Sequence, residues 1–412
     1  MDSSAPRLDC SGTTRPIGFH RFHSDFSINF QCNRWVQWIG PSAIDEVAEM
    51  AARANTYPEL MDGFLGLAER ARAADRPLAG AYYDRAAEFF MTSTDPRRPA
   101  ARARFLEAMR SIYDVAPEFV PFGAGAMPAY DLRPDRQIGP PIVMFGGFDS
   151  YVEEFLPMIA SMVDAGRRIV VFEGPGQGSA LEDFGLTMIP EWEQPMGAIL
   201  DHYGLDEVAA VGISLGGGLV IRAAAFEPRI SHVVAFDILD DFFETIARQI
   251  GRGVRIPLRA LLTARARGVI NAVADWAVAR KPVSQWGLRQ GMHVTGTATP
   301  YHFLRSTTAM TTRKISHLVG ADVLLLAGAD DHYVPLKQLG RQADTLTNAR
   351  SVTTRIFTAA EQASNHCQLG NIGAAARLII GWLDLMALPP QTGDSVFDGD
   401  TAAARTSAPV HR

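Results

Sequence analysis

A serine between two glycines, followed far along the chain by an aspartate and then a histidine, has the groups needed to attack a carbonyl through a covalent intermediate. The serine is Ser214, in Gly212-Ile213-Ser214-Leu215-Gly216, directly after the apolar run 208–211. That placement reads as a nucleophile elbow, a tight strand-to-helix turn whose small flanking residues let the backbone strain and lift the hydroxyl clear of the strand end. Residues 217–225 read as the helix that follows, so its first amides face the reaction centre.

A serine hydroxyl is a poor nucleophile at neutral pH until an imidazole accepts its proton and a buried carboxylate holds that imidazole in one tautomer. Both partner types follow Ser214 in the order Ser, Asp, His, each on a loop after a strand. The apolar run 323–327 leads into Gly328-Ala329-Asp330-Asp331-His332-Tyr333-Val334-Pro335. The β-branched run 352–357 is followed by Asn365-His366-Cys367. Position alone leaves Asp330, Asp331 and Asp237, which follows the preceding strand, as possible acids. His332 and His317 read as structural or solvent-facing, and Cys367 as a small neighbour of His366.

The first parallel strand leads into Phe145-Gly146-Gly147-Phe148-Asp149-Ser150, where glycines let backbone amides point at a developing alkoxide. The amides of Phe148 and Leu215 are the candidate oxyanion donors, each of a kind worth about 3–4 kcal/mol of barrier. Glu173-Gly174-Pro175-Gly176-Gln177-Gly178 is expected nearby; it lacks the lysine of a phosphate loop. Asp149, Glu173, Asp240, Glu244, Trp276, Trp286 and Tyr301 are the candidate substrate contacts.

These groups need a scaffold. Six apolar runs, at 141–145, 168–172, 208–211, 232–236, 323–327 and 352–357, are mostly too continuously apolar for a one-sided strand. They imply a mostly parallel, doubly wound α/β sheet covered by helices on both faces. Two short strands around Gly123-Ala124-Gly125 precede them. More than eighty residues separate the sixth strand of the chain from the seventh, which implies an inserted helical lid carrying Trp276, Trp286, His293, Tyr301 and His302. The expected organisation is a helical N-terminal region (1–117), a core in two parts (118–237 and 321–387), a lid (238–320) and a disordered tail (388–412).

Within the N-terminal region, Ser42 and Asp45 are spaced as a capping box, and helices are expected over 78–90 and 101–113 with a tetratricopeptide-like packing but no fixed repeat. Phe19, Phe22, Phe26, Phe30, Trp35 and Trp38 read as core or subunit contact. The chain has 412 residues, 47% hydrophobic and 20% charged, with a net charge of −6 read as spread without a basic block. Nucleic-acid binding and polybasic membrane attachment are therefore disfavoured, and with no basic-then-apolar start or bilayer-length apolar run a cytoplasmic protein is expected. Cys10, Cys32 and Cys367 are too few and scattered for a disulfide framework or a zinc site, and neither metal nor cofactor is expected. A small-molecule substrate is the expected partner, with a homodimer an open option.

Taken together, the motifs at 146–150, 173–178, 212–216 and 328–335, with Asn365-His366-Cys367-Gln368, resemble the α/β-hydrolase superfamily. Within it, they are similar to the subgroup of 2,6-dihydroxypseudooxynicotine hydrolase and the fungal polyketide-shortening hydrolases. The likeness spans roughly residues 118–385. It implies Ser214 as nucleophile, Asp331 as triad acid and His366 as base, and cleavage of a carbon–carbon bond next to a ketone, more distant relatives being esterases and peptidases. Some members also use an acid shortly after the strand that follows the nucleophile helix, where Asp237, Asp240, Asp241 and Glu244 all stand.

Overall fold

The structure, a computed structural model, describes residues 18–251, 253–278 and 282–388. Cys10 and almost all of the expected tail lie outside the described residues. Five helices come first: α1 (Phe26–Ile39), α2 (Ala43–Ala51), α3 (Tyr57–Ala73), α4 (Pro77–Phe90) and α5 (Arg98–Ile112). The capping box expected at Ser42 is not formed: Ser42 is already helical in φ and ψ (−62°, −19°), so its hydroxyl makes no cap hydrogen bond. The box is instead at Thr56 and Glu59, which start α3 by reciprocal bonds to each other's backbone amides. Helix α4 is buried nearly all round, since α3 and α5 flank it.

A hairpin of β1 (Glu118–Phe122) and β2 (Gly125–Leu132) opens the sheet. It continues with β3 (Ile142–Phe145), α6 (Leu156–Asp164), β4 (Ile169–Phe172), α7 (Gly178–Glu182), α8 (Glu193–Tyr203), β5 (Val208–Ile213), α9 (Leu215–Phe226) and β6 (Ile230–Phe236). Helices α10 (Phe242–Ile250), α11 (Arg255–Thr263), α12 (Arg267–Val278), α13 (Pro282–Val294) and α14 (Pro300–Thr307) intervene before β7 (Asp322–Gly328). The chain closes with α15 (Lys337–Thr345), β8 (Ser351–Phe357) and α16 (Ile372–Met386).

The strand order is β1-β2-β4-β3-β5-β6-β7-β8, antiparallel across the first two pairings and parallel from β4 onward. Alternate strand residues face opposite cores, as the two-residue period requires. Ile142, Met144, Ala209, Val211 and Leu324 join the N-terminal helices, α6 and α16. Val143, Phe145, Ala210, Val233 and Val323 join α8 and α9 on the other side. The two edge strands, β1 and β8, are largely exposed.

The segment between β6 and β7 has its own small core of Phe243, Leu258, Leu262, Ile270, Tyr301, Phe303 and Leu304. Its charge corrects the reading of an evenly spread balance. From 248 to 315 the one acid is Asp275, against Arg248, Arg255, Arg259, Arg265, Arg267, Arg289, Arg305 and Arg313 among others. Among the described residues no single helix is long and apolar enough to cross a membrane.

Candidate active site

In the sheet, β3 lies between β4 and β5, so the chain winds in opposite directions on either side of β3, and a crevice opens at the carboxyl ends of β3 and β5. Ser214 sits at the end of β5 with φ 61° and ψ −119°, a conformation side chains other than glycine seldom adopt. The neighbouring positions must be bare for this turn to close. A Cβ on Gly212 would stand 2.0 Å from the carbonyl oxygen of Gly216. A Cβ on Gly147 would stand 3.0 Å from the Leu215 nitrogen, which shows how tightly the loop after β3, with Phe148 next in line, is pressed against the start of α9.

Ser214 Oγ lies 2.8 Å from His366 Nε2. His366 Nδ1 lies 2.6 Å from Asp331 Oδ2 and 3.3 Å from Asp237 Oδ2. Asp331 is fixed in turn by the amides of Tyr333 and Val334, both donating to its Oδ1 at 2.7 and 2.9 Å. Asp330 is exposed, which separates the two adjacent aspartates. His366 is buried, which on its own would depress its pKa, but the carboxylates of Asp331 and Asp237 reverse this and hold the imidazole well above its usual value. Asp331 moves below its ordinary value: burial opposes its charge, and the imidazole overcomes burial.

His332, next to Asp331, packs its ring at 4.6 Å from Phe26 and 4.7 Å from Phe30, so α1 walls this end of the site. Burial pushes its pKa down to about 3, leaving it neutral. His317 is exposed, in agreement with its solvent-facing reading. Asp237, His366 and Cys367 offer ligand atoms within 4.8 Å of one another. Hydrogen bonds already engage the carboxylate and both ring nitrogens, which suits proton handling rather than metal ligation.

The candidate substrate contacts fall into two groups. Asp149 and Trp286 line a cavity beside Phe148, together with Arg85, Phe89 and Tyr151. The other five do not line it. Glu173 is buried, its oxygens taking the amides of Val152 and Ser179, so it ties two loops together. Asp240 and Glu244 are buried under Arg313 and Arg341, at 2.5 and 2.6 Å from the latter, so ion pairs with the insertion and with α15 occupy both carboxylates. Trp276 is 60% exposed on α12, and Tyr301 is enclosed in the small core of the insertion.

Sequence reasoning held Asp237 as an alternative to Asp331 but did not place both beside His366. The signal was the position of Asp237 directly after β6, beside β7, whose loop carries Asp331. The buried Arg85 and the half-buried Arg34 and Arg98 were also missed, because they lie in a helical region without a motif.

Glu173 yields a pH test. Burial, reinforced by nearby Glu153, pushes its pKa up to about 8 from an ordinary 4.5. The folded state thus binds a proton that the unfolded state releases, so this contribution is complete below about pH 4.5 and fades as pH rises toward 8. Glu173→Gln is expected to flatten the fall in unfolding free energy over that window, measured by urea denaturation at successive pH values.

The comparisons with known proteins fit this geometry. A family model described as "alpha/beta hydrolase fold" matches residues 140–360, and the chain belongs to that family of hydrolases. Among curated relatives, "Hydrolase acrC" of Aspergillus aculeatus is 30% identical over 329 residues, 70% of this chain and 74% of that protein. "Hydrolase ORFZ" of Pyricularia oryzae is 33% identical, and the alignment spans 43% of this chain and 48% of that protein. Among solved structures, 2,6-dihydroxy-pseudo-oxynicotine hydrolase superposes with a TM-score of 0.57 at 20% identity, covering 85% of this chain and 94% of that one. The structure titled "AbyA5 Wildtype" gives 0.63 at 16%, covering 88% and 95%. Both share the fold.

Proposed function

We propose that the chain is a serine hydrolase that cleaves a carbon–carbon bond next to a ketone in an aromatic or polyketide-like small molecule, with Ser214 as nucleophile, His366 as base and Asp331 as its acid. The observation that carries this reading is the continuous chain of contacts from Ser214 Oγ through both ring nitrogens of His366 to Asp331. His366 takes the hydroxyl proton as Oγ attacks the carbonyl, and the amides of Phe148 and Leu215 receive the alkoxide. The tetrahedral adduct then collapses, its carbon–carbon bond breaks, and the electron pair leaves as an enolate that takes the proton from His366. Water, deprotonated by the same imidazole, releases the acyl group from Ser214 as a carboxylic acid.

A carbon leaving group departs only when conjugation stabilises its charge, so the substrate is a β-dicarbonyl or an activated aromatic ketone. Phe89, Phe148 and Trp286 around the cavity, with Arg85 and Arg98 at its wall, suit a planar conjugated molecule with anionic character. The cavity holds about 30 Å³, room for a water or two; neither Ser214 nor His366 lines it, and it adjoins the loop after β3 through Phe148, Asp149 and Ser150.

The test is to offer purified protein 1,3-diketones and p-nitrophenyl acyl esters in labelled water. Faster diketone cleavage, with one solvent oxygen in the acid product, supports the proposal. Ester cleavage alone would move the enzyme to the carboxylesterases, and product without labelled oxygen would indicate a cyclase or lyase.

Trp286 stacks on Phe89 at 4.6 Å and donates to its carbonyl at 2.8 Å. Trp286→Ala is expected to raise KM for an aromatic ketone about tenfold, the scale of one lost aromatic contact, with a smaller change in kcat. Steady-state kinetics on the variant check this.

A further inference from the structure

We infer that α11 and α12 form a docking face for an anionic lipid bilayer, on which the insertion between β6 and β7 seats the protein. This face is separate from the serine mechanism and stands whichever bond that mechanism breaks. Residues 248–315 hold twelve Arg and Lys against the single acid Asp275, in a chain whose net charge is −6. The remaining residues therefore carry an acidic excess larger than that of the whole chain. An anionic surface attracts the insertion and repels the rest, which orients the molecule. Polybasic attachment is disfavoured only where charge is evenly spread, and here it is not.

The same segment exposes apolar side chains. On α12, Val269, Val273 and Trp276 fall on one helix face, at spacings of four and three, and each is more than half exposed. Ile270 of α12 and Leu258 and Leu262 of α11 enter the small core of the insertion instead. Ile256 of α11 is 74% exposed. The two helices pack against each other, and the three residues that join them include Arg265. Among the described residues no ion pair takes up the exposed Arg248, Arg265, Arg267 or Arg305. The ion pairs of Arg255 with Glu244 and of Arg259 with Asp241 span 3.9 Å, too long for a hydrogen bond, so both guanidinium groups keep donors to offer. With Arg313, Ile256, Ala260 and Ala264 they line an open groove of about 600 Å³, which suits a lipid phosphate against the cations and hydrocarbon against the apolar wall.

Aliphatic and indole side chains beside arginines on short amphipathic helices are the composition of an interfacial anchor: the apolar groups enter the headgroup boundary and the cations meet lipid phosphates. A second copy of the chain fits worse, because an isologous contact would set these arginines against themselves. An acidic protein would meet the cations, but a bilayer takes Val269, Val273 and Ile256 without the shape complementarity that a protein interface demands. Helix α13 packs on α12 and carries Trp286 to the cavity beside Phe148, so the docking face lies one helix away from that cavity.

The test is co-sedimentation of the full-length protein with vesicles of phosphatidylcholine alone and of phosphatidylcholine mixed with phosphatidylserine. Binding is expected to the mixed vesicles only, weakening as salt is raised. Arg265→Gln is expected to weaken it about fivefold, the scale of one cation at an anionic surface, and Val269→Ser with Val273→Ser about tenfold. All three positions are exposed, so thermal unfolding of the variants should match that of the wild type. Equal binding to both vesicles, binding to neither, or variants that bind as the wild type does would overturn the inference. Binding to polyglutamate but not to the mixed vesicles would reassign the face to an acidic protein, and self-association lost in the valine variant would reassign it to a second copy; either result overturns the membrane assignment.

Discussion

Ser214→Ala is expected to lower kcat/KM by about 10³- to 10⁶-fold, the span seen when a triad nucleophile is removed. The fold should survive. The left-handed turn at Ser214 is enforced by its neighbours, above all by the bare Cα of Gly212 against Gly216, and alanine meets the same backbone demand as serine. The lost hydroxyl leaves His366 Nε2 next to a partly exposed position that water can reach. Kinetics on the cleaved substrate and thermal unfolding of the same preparation check both halves of the expectation. Retained turnover would remove Ser214 from the chemistry.

The second large effect is on stability. Arg85 is buried with Nε at 2.7 Å from Glu154, Nη1 at 2.5 Å from Glu88 and Nη2 at 2.5 Å from the Asp149 carbonyl. Arg85→Met keeps much of the volume but leaves two buried carboxylates short of a partner, a change that costs about 3–5 kcal/mol. Urea denaturation of the variant measures the loss. Adding Glu88→Gln should recover part of it, because one of the stranded charges is then gone, and the coupling between the two sites follows from the double-mutant cycle. Additive losses would mean that Arg85 acts through packing.

The legible part of this molecule was the part governed by local rules. The elbow announced itself because only small residues fit around Ser214, and the strands because a sheet covered on both faces demands unbroken apolar runs. His366 was readable from chain order. The choice between Asp330 and Asp331 depended on which carboxylate turns inward, and that is fixed by the amides of Tyr333 and Val334, which no pattern displays. The same holds for Asp237, whose partner lies 129 positions away at 366. Asp240 and Glu244 looked like site residues because acids crowd the end of β6, but both are taken up in ion pairs with Arg313 and with Arg341 of α15. Trp276 and Tyr301 share a segment with Trp286, and only tertiary packing tells the outer face of that segment from its core and from the cavity wall.

The ionic joint around Arg85 also bears on where the enzyme begins as a working unit. Glu154 receives Arg34 and Arg85, and Glu153 receives Arg110, all from helices that precede the sheet. Arg34 also reaches Asp149, one residue from Phe148. The opening helices are thus the electrical ground of the loop that faces Ser214. A shortened chain confined to residues 140–360, the stretch that matches the family model, would carry those acids into its interior with no cation from that region to meet them.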